Sequence, residues 1–403
     1  MTETETAPPA PPLAGLRVID LTTVLFGPMA TAMLADLGAE VIKVEAPEGD
    51  IMRHAEPMHA PAMSTVYVNA NRDKRSVVLD LKQPAARAAL DRLIAGADLF
   101  VHSMRLDATR RLGITAAEVR RVKPDIVYCR ACGFGSDGPY RDLPAYDDVI
   151  QAASGLASLA GGPDGRPQLI QSVAADKIAG LYLGNALLTA LLARERTGVA
   201  QDVELPMFES VAAFVLAEHL AGATFEPRDG AMGYPRVMSP NRRPHRTKDS
   251  FIVLLPYTTR HWQRFLRLAS RDDLADAEWM TDARQRSSRV DSLYAVIDEV
   301  TPTRTTAEWM AALREIDVPA TPVNDFEALL ADPHLNAVGF FETYDHPSQG
   351  RLRGLRRPAR FSAIPPGGGF APELGRDTRA VLAELGYKDD EITGLIETGA
   401  ANG

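Results

Sequence analysis

The sequence predicts an α/β protein organised around an open parallel sheet. Short apolar runs bounded by turn residues alternate with helical patterns through the first half of the chain. Each strand–helix–strand unit fits a right-handed crossover between parallel neighbours. The composition, 45% hydrophobic and 24% charged over 403 residues, is that of a globular chain with room for about two or three cores.

Leu16–Leu21 (LRVIDL) reads as a buried strand, and Pro28 fits the first turn of a helix reaching Leu37, with Gly38 as its cap. Val41–Glu45 is the next strand. Glu45 stands where dinucleotide folds carry a ribose-binding acid, but the preceding turn holds only Gly27 and no G-x-G-x-x-G, which argues against a nicotinamide cofactor. Val77–Leu81, a helix over Pro84–Ile94 and Leu99–His102 repeat the unit. Thr115 and Glu118 form a capping box for the helix from Ala116, which ends before Pro124. Ile126–Arg130 is the fifth strand and runs into the glycine turn CGFGSDGP.

Gln201–Leu205 reads as a strand and Met207–Ala221 as a helix. From Thr224 to Lys248 the texture turns to Gly, Pro and Arg, as at a crossing between domains. A smaller α/β segment follows, with strand Phe251–Leu255, a helix from His261 and a second capping box, Thr305 to Glu308. A strand within Arg351–Phe361, the loop PPGGG and the amphipathic tail RAVLAELG complete the chain.

Several function classes are disfavoured. A net charge of -9 argues against a nucleic-acid partner. Two cysteines, Cys129 and Cys132, give no disulfide framework and fit a reducing cytoplasm. Their C-x-x-C closes a strand and does not open a helix, so it reads as coincidence. The eight histidines show no metal-ligand spacing, and neither G-x-S-x-G nor a Walker loop is present. The opening MTETETAPPAPP is acidic and proline-rich, unlike a signal peptide, and is expected to be disordered. No run approaches the roughly 20 apolar residues of a membrane span.

The chemistry concentrates between Pro139 and Gly198. Asp176 opens a helix with apolar residues at Ile178, Leu181, Leu187, Leu188, Leu191 and Leu192, closed by Gly198. A carboxylate there has two readings. It caps the helix, or, ionised at neutral pH and helped by the dipole, it is an anionic nucleophile. Local pattern leaves both open. In an open parallel sheet ligands sit at the carboxyl ends of strands. Near those ends lie the donor-rich loop Asn69–Ser76 and Arg105, Arg110 and Arg111, which can hold phosphates or remain solvated cations.

GLRVIDLTTVLFGPMATAMLADLGAEVIKVEAPEGD, NRDKRSVVLDLK, GFGSDGPY, YDDVIQAASGL, AADKIAG, LLARERTGVAQDVELPMFES and LGRDTRAVLAELG cover nearly the whole chain. In these stretches it resembles the class III CoA-transferases, a group that also holds the α-methylacyl-CoA racemases. The resemblance implies a Rossmann-like large domain built from both termini (13–223 with 331–403), a linker and small domain (224–330), and a tail over 1–12. It implies two interlocked ring-like subunits, a homodimer. It places the catalytic aspartate at Asp176, with acyl-CoA and a carboxylic acid as substrates and no tightly bound cofactor or metal. The expected course passes through an aspartyl–acyl anhydride and an aspartyl-CoA thioester, with backbone N–H groups at Gly133–Gly135 or Gly161–Gly162 as oxyanion donors.

Carried over by position, the CoA contacts are Asn71, Lys74, Arg111, Gly133 and Phe134. Thr23 and Leu25 stand where formyl-CoA transferase has His and Gln near its substrate, Ala46 replaces an Arg, and Ser103 and Cys132 replace Asn and Lys. Formate and oxalate specificity is therefore not implied. The glycine loop that some members carry near Thr224–Lys248 is absent. NRRPHR (Asn241–Arg246) offers a second anion site, which favours a dicarboxylate such as succinate. Tyr146 stands where a racemase needs a His, and reads as a packed aromatic with a bonded hydroxyl. Racemisation of 2-methylacyl-CoA and a non-catalytic CoA-binding protein are the alternatives.

Overall fold

Within the described residues of the computed structural model (10–161, 165–364 and 368–403), six parallel strands and one short antiparallel strand form the main sheet. They are β1 (Arg17–Leu21), β2 (Glu40–Glu45), β3 (Lys74–Leu79), β4 (Leu99–His102), β5 (Val127–Cys132), β6 (Asp202–Pro206) and the antiparallel β7 (Ala401–Asn402). Across the sheet the order is β7-β3-β2-β1-β4-β5-β6. The direction of winding reverses beside β1, where Val18 pairs with Val41 of β2 on one side and Leu99 of β4 on the other. Such a reversal opens a crevice at the carboxyl ends of the strands flanking it.

Side chains alternate across each strand, so the sheet feeds two cores. Val18, Val41, Leu99, Val101 and Cys129 pack on the face covered by helix α1 (Phe26–Ala35). Ile19, Ile42, Phe100 and Tyr128 pack on the face covered by α2 (Pro84–Ala95). Both faces being buried explains why the strands read as unbroken apolar runs. Boundaries moved slightly from expectation. The third strand begins at Lys74 instead of Val77, and the fifth reaches Cys132. The strand expected within Arg351–Phe361 is the second half of a hairpin, Phe341–His346 with Gly350–Leu355.

Two further helices carry the site, α3 (Asp147–Ala153) and α4 (Ala174–Thr197), the latter capped by left-handed Gly198. The predicted apolar face of α4 needs correction. Leu181 and Leu192 are exposed, whereas Ala175, Ala179, Gly180, Leu183, Gly184 and Leu187 are buried. The inward stripe is small because α1 crosses close by. A Cβ on Gly180 would lie 2.5 Å from Met29 Cε, and one on Gly184 2.9 Å from Met33 Cε. Leucine content alone points the apolar stripe partly outward, whereas the close crossing selects glycine and alanine for the buried side.

The chain divides into two compact units, Met1–Val215 with Val338–Gly403, and Leu216–Ala337. In the second unit the strands His245–Arg246, Phe251–Leu254 and Ala320–Pro322 form an antiparallel sheet. Its core holds Trp262, Phe265, Tyr294 and Trp309. Both predicted capping boxes are present, with Thr115 and Thr305 exchanging hydrogen bonds with Glu118 and Glu308. No helix among the described residues is long and apolar enough to cross a membrane. Residues 1–9, Gly162 and part of the PPGGG loop lie outside the described residues.

Candidate active site

A cavity of about 220 Å³ opens at the carboxyl ends of β1, β4 and β5, where the sheet order reverses. The loop after β1 supplies Thr23 and Val24, the loop after β4 Ser103 and Arg105, and the turn after β5 Gly133 and Phe134. Tyr146 and Arg141 close one side, and Asp176 faces in from the first turn of α4.

The β1 loop is held from beneath by buried charge. Lys43 Nζ donates to the Thr22 carbonyl at 2.8 Å and to Asp50 Oδ2 at 2.9 Å, and Asp50 Oδ1 accepts the Val24 N–H at 3.1 Å. Burial works against the Lys43 charge, but Asp50, Asp20 and Glu45 together raise its pKa above the ordinary lysine value. The clamp holds Val24 at φ 71°, a region a β-branched residue enters only under restraint. Thr23 N–H then donates to Ser103 Oγ at 3.1 Å, joining the β1 and β4 loops across the crevice.

The turn after β5 is equally fixed. Gly135 N–H donates to Glu209 Oε1 at 2.9 Å and Ser136 N–H to Glu204 Oε1 at 2.7 Å, while Glu204 also pairs with the buried Arg130 at 2.6 Å. The Gly135 amide is thus taken, which narrows the expected oxyanion donors after this strand to Gly133 and Phe134. Gly133 has a second reason to be glycine: a Cβ there would lie 2.1 Å from Ala145 Cβ. That close approach lays the 145–147 segment over the strand end and delivers α3 to Asp176.

Asp176 is 6% exposed, and among the described residues its carboxylate has no hydrogen-bond or ion-pair partner. It is no cap, because the N-cap residue is Val173, without a side-chain cap bond. The Asp176 N–H instead donates to Asp147 Oδ1 of α3 at 2.9 Å. Gln151 Nε2 donates to the other Asp147 oxygen at 2.6 Å and to Ser172 O at 3.1 Å, and Gln151 Oε1 accepts the Ile170 N–H at 2.9 Å. α3 therefore grips both the approach to α4 and its first turn. Burial, and secondly the Asp147 charge, push the Asp176 pKa up to about 7. The dipole does not set its ionisation as expected: desolvation and a like charge outweigh the roughly 0.3–1 kcal/mol of the helix terminus, and the carboxylate forms only as pH rises towards 7.

Of the expected contacts, Thr23, Gly133, Phe134 and Tyr146 meet Asp176 around one cavity; Leu25 does not line it. Asn71 and Lys74 are elsewhere and enclosed. Lys74 Nζ donates to Asp20 Oδ2 at 3.0 Å, Pro28 O at 2.9 Å and Asn71 Oδ1 at 2.9 Å, and Asn71 Nδ2 donates to Tyr67 O at 3.0 Å. With the Lys74 side chain 0% exposed, neither residue offers a surface to a phosphate. Arg111 is exposed at the end of helix Leu106–Leu112, away from the cavity lining. Tyr146 is 65% exposed and its hydroxyl makes no hydrogen bond among the described residues, so it is not the packed, bonded aromatic expected. Sequence reasoning missed Asp147 and Gln151. An acidic pair at a helix start looks like ordinary capping, and only tertiary packing turns Asp147 towards α4. Cys129 and Cys132 are unpaired, and burial raises both thiol pKa values, that of Cys132 to about 12.

The family model described as CoA-transferase family III matches residues 13–378. The chain belongs to that family. It is 32% identical over 394 residues to the succinate–glutarate CoA-transferase of Agrobacterium fabrum, covering 93% of this chain and 96% of that protein. It is 31% identical over 419 residues to a formyl-CoA:oxalate CoA-transferase of Escherichia coli, covering 96% and 99%. Among solved structures, a CaiB/BaiF family protein from Brucella suis superposes with a TM-score of 0.79 at 30% identity, covering 94% of this chain and all of that one. The Mycobacterium tuberculosis protein Rv3272 gives 0.80 at 29% identity, covering 93% and 99%. This family III chain is a CoA-transferase, and its mixed α/β fold with a large parallel-dominated sheet is the one its structural neighbours share.

Proposed function

We propose that this transferase moves CoA from an acyl-CoA thioester to a free carboxylic acid through covalent intermediates on Asp176. The observation that carries the reading is a nearly buried carboxylate, without a hydrogen-bond or ion-pair partner among the described residues, facing the crevice of a family III chain. One carboxylate oxygen attacks the thioester carbonyl, the C–S bond breaks, and CoA leaves as thiolate with an aspartyl–acyl anhydride behind it. The thiolate attacks the aspartyl carbonyl, forming an aspartyl-CoA thioester and releasing the first acid. The acceptor carboxylate attacks that thioester, regenerating an anhydride and thiolate. The thiolate takes the new acyl group, and Asp176 is free again. No proton is needed, so a site without a general acid suffices. The backbone at Gly133 and Phe134 supplies the oxyanion contacts.

A dicarboxylic substrate of the succinate type is supported by the Agrobacterium relative's name and by Arg105 and Arg141, two exposed cations on the cavity wall. CoA binds as a substrate and no tightly held cofactor is required. Two unpaired cysteines support a reducing, cytoplasmic setting. A homodimer is supported by apolar side chains left outside on α3 and α4: Val149, Leu181, Tyr182 and Leu192. Succinyl-CoA incubated with a panel of carboxylic acids, glutarate included, tests the reading by mass spectrometry. New acyl-CoA products are expected, and hydrolysis alone would contradict it.

A further inference from the structure

We infer that Asp147 is a positioning residue for the transfer: its hydrogen bond to the Asp176 backbone and its charge fix the first turn of α4 and keep the facing carboxylate strongly nucleophilic. The inference rests on Asp176 being the nucleophile. Its geometry is a closed set of bonds. Asp147 is buried, holds the Asp176 N–H at 2.9 Å and is itself held by Gln151 at 2.6 Å. Gln151, fully buried, cannot turn over, because its oxygen already accepts from Ile170 N–H while its nitrogen also serves Ser172 O. The amide nitrogen therefore faces Asp147.

The charge of Asp147 occupies the amino end of α4, the place where the helix field would otherwise draw electron density from Asp176. The other ionisable groups around the cavity are Arg105 after β4, Arg130 and Cys132 of β5, and Arg141 and Tyr146 before α3. Arg130 is committed to Glu204, and on α4 itself Lys177 donates to Ser172 Oγ at 2.8 Å. Burial, and after it the Asp147 charge, push the Asp176 pKa up, and the two act in the same direction. The chemical gain lies in matching partners. An ordinary aspartate is about 4–5 pKa units less basic than a thiolate near 8.5, so forming an anhydride from a thioester is steeply uphill. An aspartate titrating at about 7 narrows that gap to about 1.5 units.

The test is the rate at which CoA becomes covalently attached to the protein from succinyl-CoA, followed by rapid acid quench and intact mass between pH 5 and 9. In the wild type the rate should rise with a midpoint near pH 7. Asp147→Asn keeps an acceptor for the Asp176 N–H but removes the charge, and its midpoint should move acid by at least one pH unit, with a plateau several-fold lower. Asp147→Glu should keep the wild-type midpoint. If the amide variant does not fold, Asp147→Ser, whose hydroxyl oxygen also accepts, carries the same comparison. Superimposable profiles for wild type and the uncharged variant would overturn the inference, leaving Asp147 a structural cap. Absence of any adduct in the wild type at every pH would instead overturn the nucleophile assignment beneath it.

Discussion

Lys74 and Asp20 form an ion pair at 3.0 Å with both side chains 0% exposed. Thr22 and Thr31 hydroxyls complete the shell around the carboxylate. Burial would raise the Asp20 pKa, but Lys74, Lys43 and the two hydroxyls bring it down to about 2. Removing Lys74 strands this charge, so Lys74→Ala should cost about 3–5 kcal/mol of stability in denaturant titration. Arg105→Ala should leave stability nearly unchanged and raise the KM for acyl-CoA or the acceptor acid, the more so at low salt. A KM effect from Lys74 with no loss of stability would reverse this assignment.

The same pair shows where the sequence is legible and where it is not. Strand and helix order could be read because both sheet faces are buried, which makes Leu16–Leu21 or Leu99–His102 unmistakable apolar runs. Lys74 and Arg111 were equally plausible as phosphate contacts, since a side chain's type does not say whether it points into a core. Asp176 could be located but not its ionisation. That depends on Asp147, 29 residues away in the chain, and on a crevice that exists only after the sheet forms.

Ionised Asp176 costs stability. The folded chain binds its proton up to about pH 7, against an ordinary value of 3.8, so the folded state holds more protons between those limits. Stability conferred by the protonated form is full below about pH 4, falls as pH rises towards 7, and stays low above. Asp176→Asn removes this dependence. At pH 8 the variant should be more stable than wild type by on the order of 2–4 kcal/mol, with the difference gone below pH 4. Thermal unfolding of both proteins across that range decides it. A wild type more stable than the variant at pH 8 would contradict the burial argument.

Gly133→Ala places a methyl group into Ala145. The 145–147 segment must shift, and Asp147 with it. A loss of about 1–3 kcal/mol in stability is expected, with a fall in kcat larger than any rise in KM. Wild-type kcat in a stably folded variant would show that α3 need not sit close.

Racemisation of 2-methylacyl-CoA requires a second base in addition to Asp176, and the exposed Tyr146 lines the same cavity. A single epimer incubated in D₂O should gain no deuterium at the α carbon. Exchange that disappears in Tyr146→Phe would displace the transferase reading.

The covalent bond proposed at Asp176 can be trapped directly. Acyl-CoA without acceptor should leave CoA attached as a thioester. Hydroxylamine should convert that adduct to a hydroxamate, and borohydride reduce it to the alcohol, both found by peptide mass spectrometry at Asp176. Asp176→Asn should bind CoA, form no adduct and lose several orders of magnitude in turnover, as removal of an essential nucleophile does. A wild type with no adduct beside an Asn variant that still transfers acyl groups would show that Asp176 is not the nucleophile.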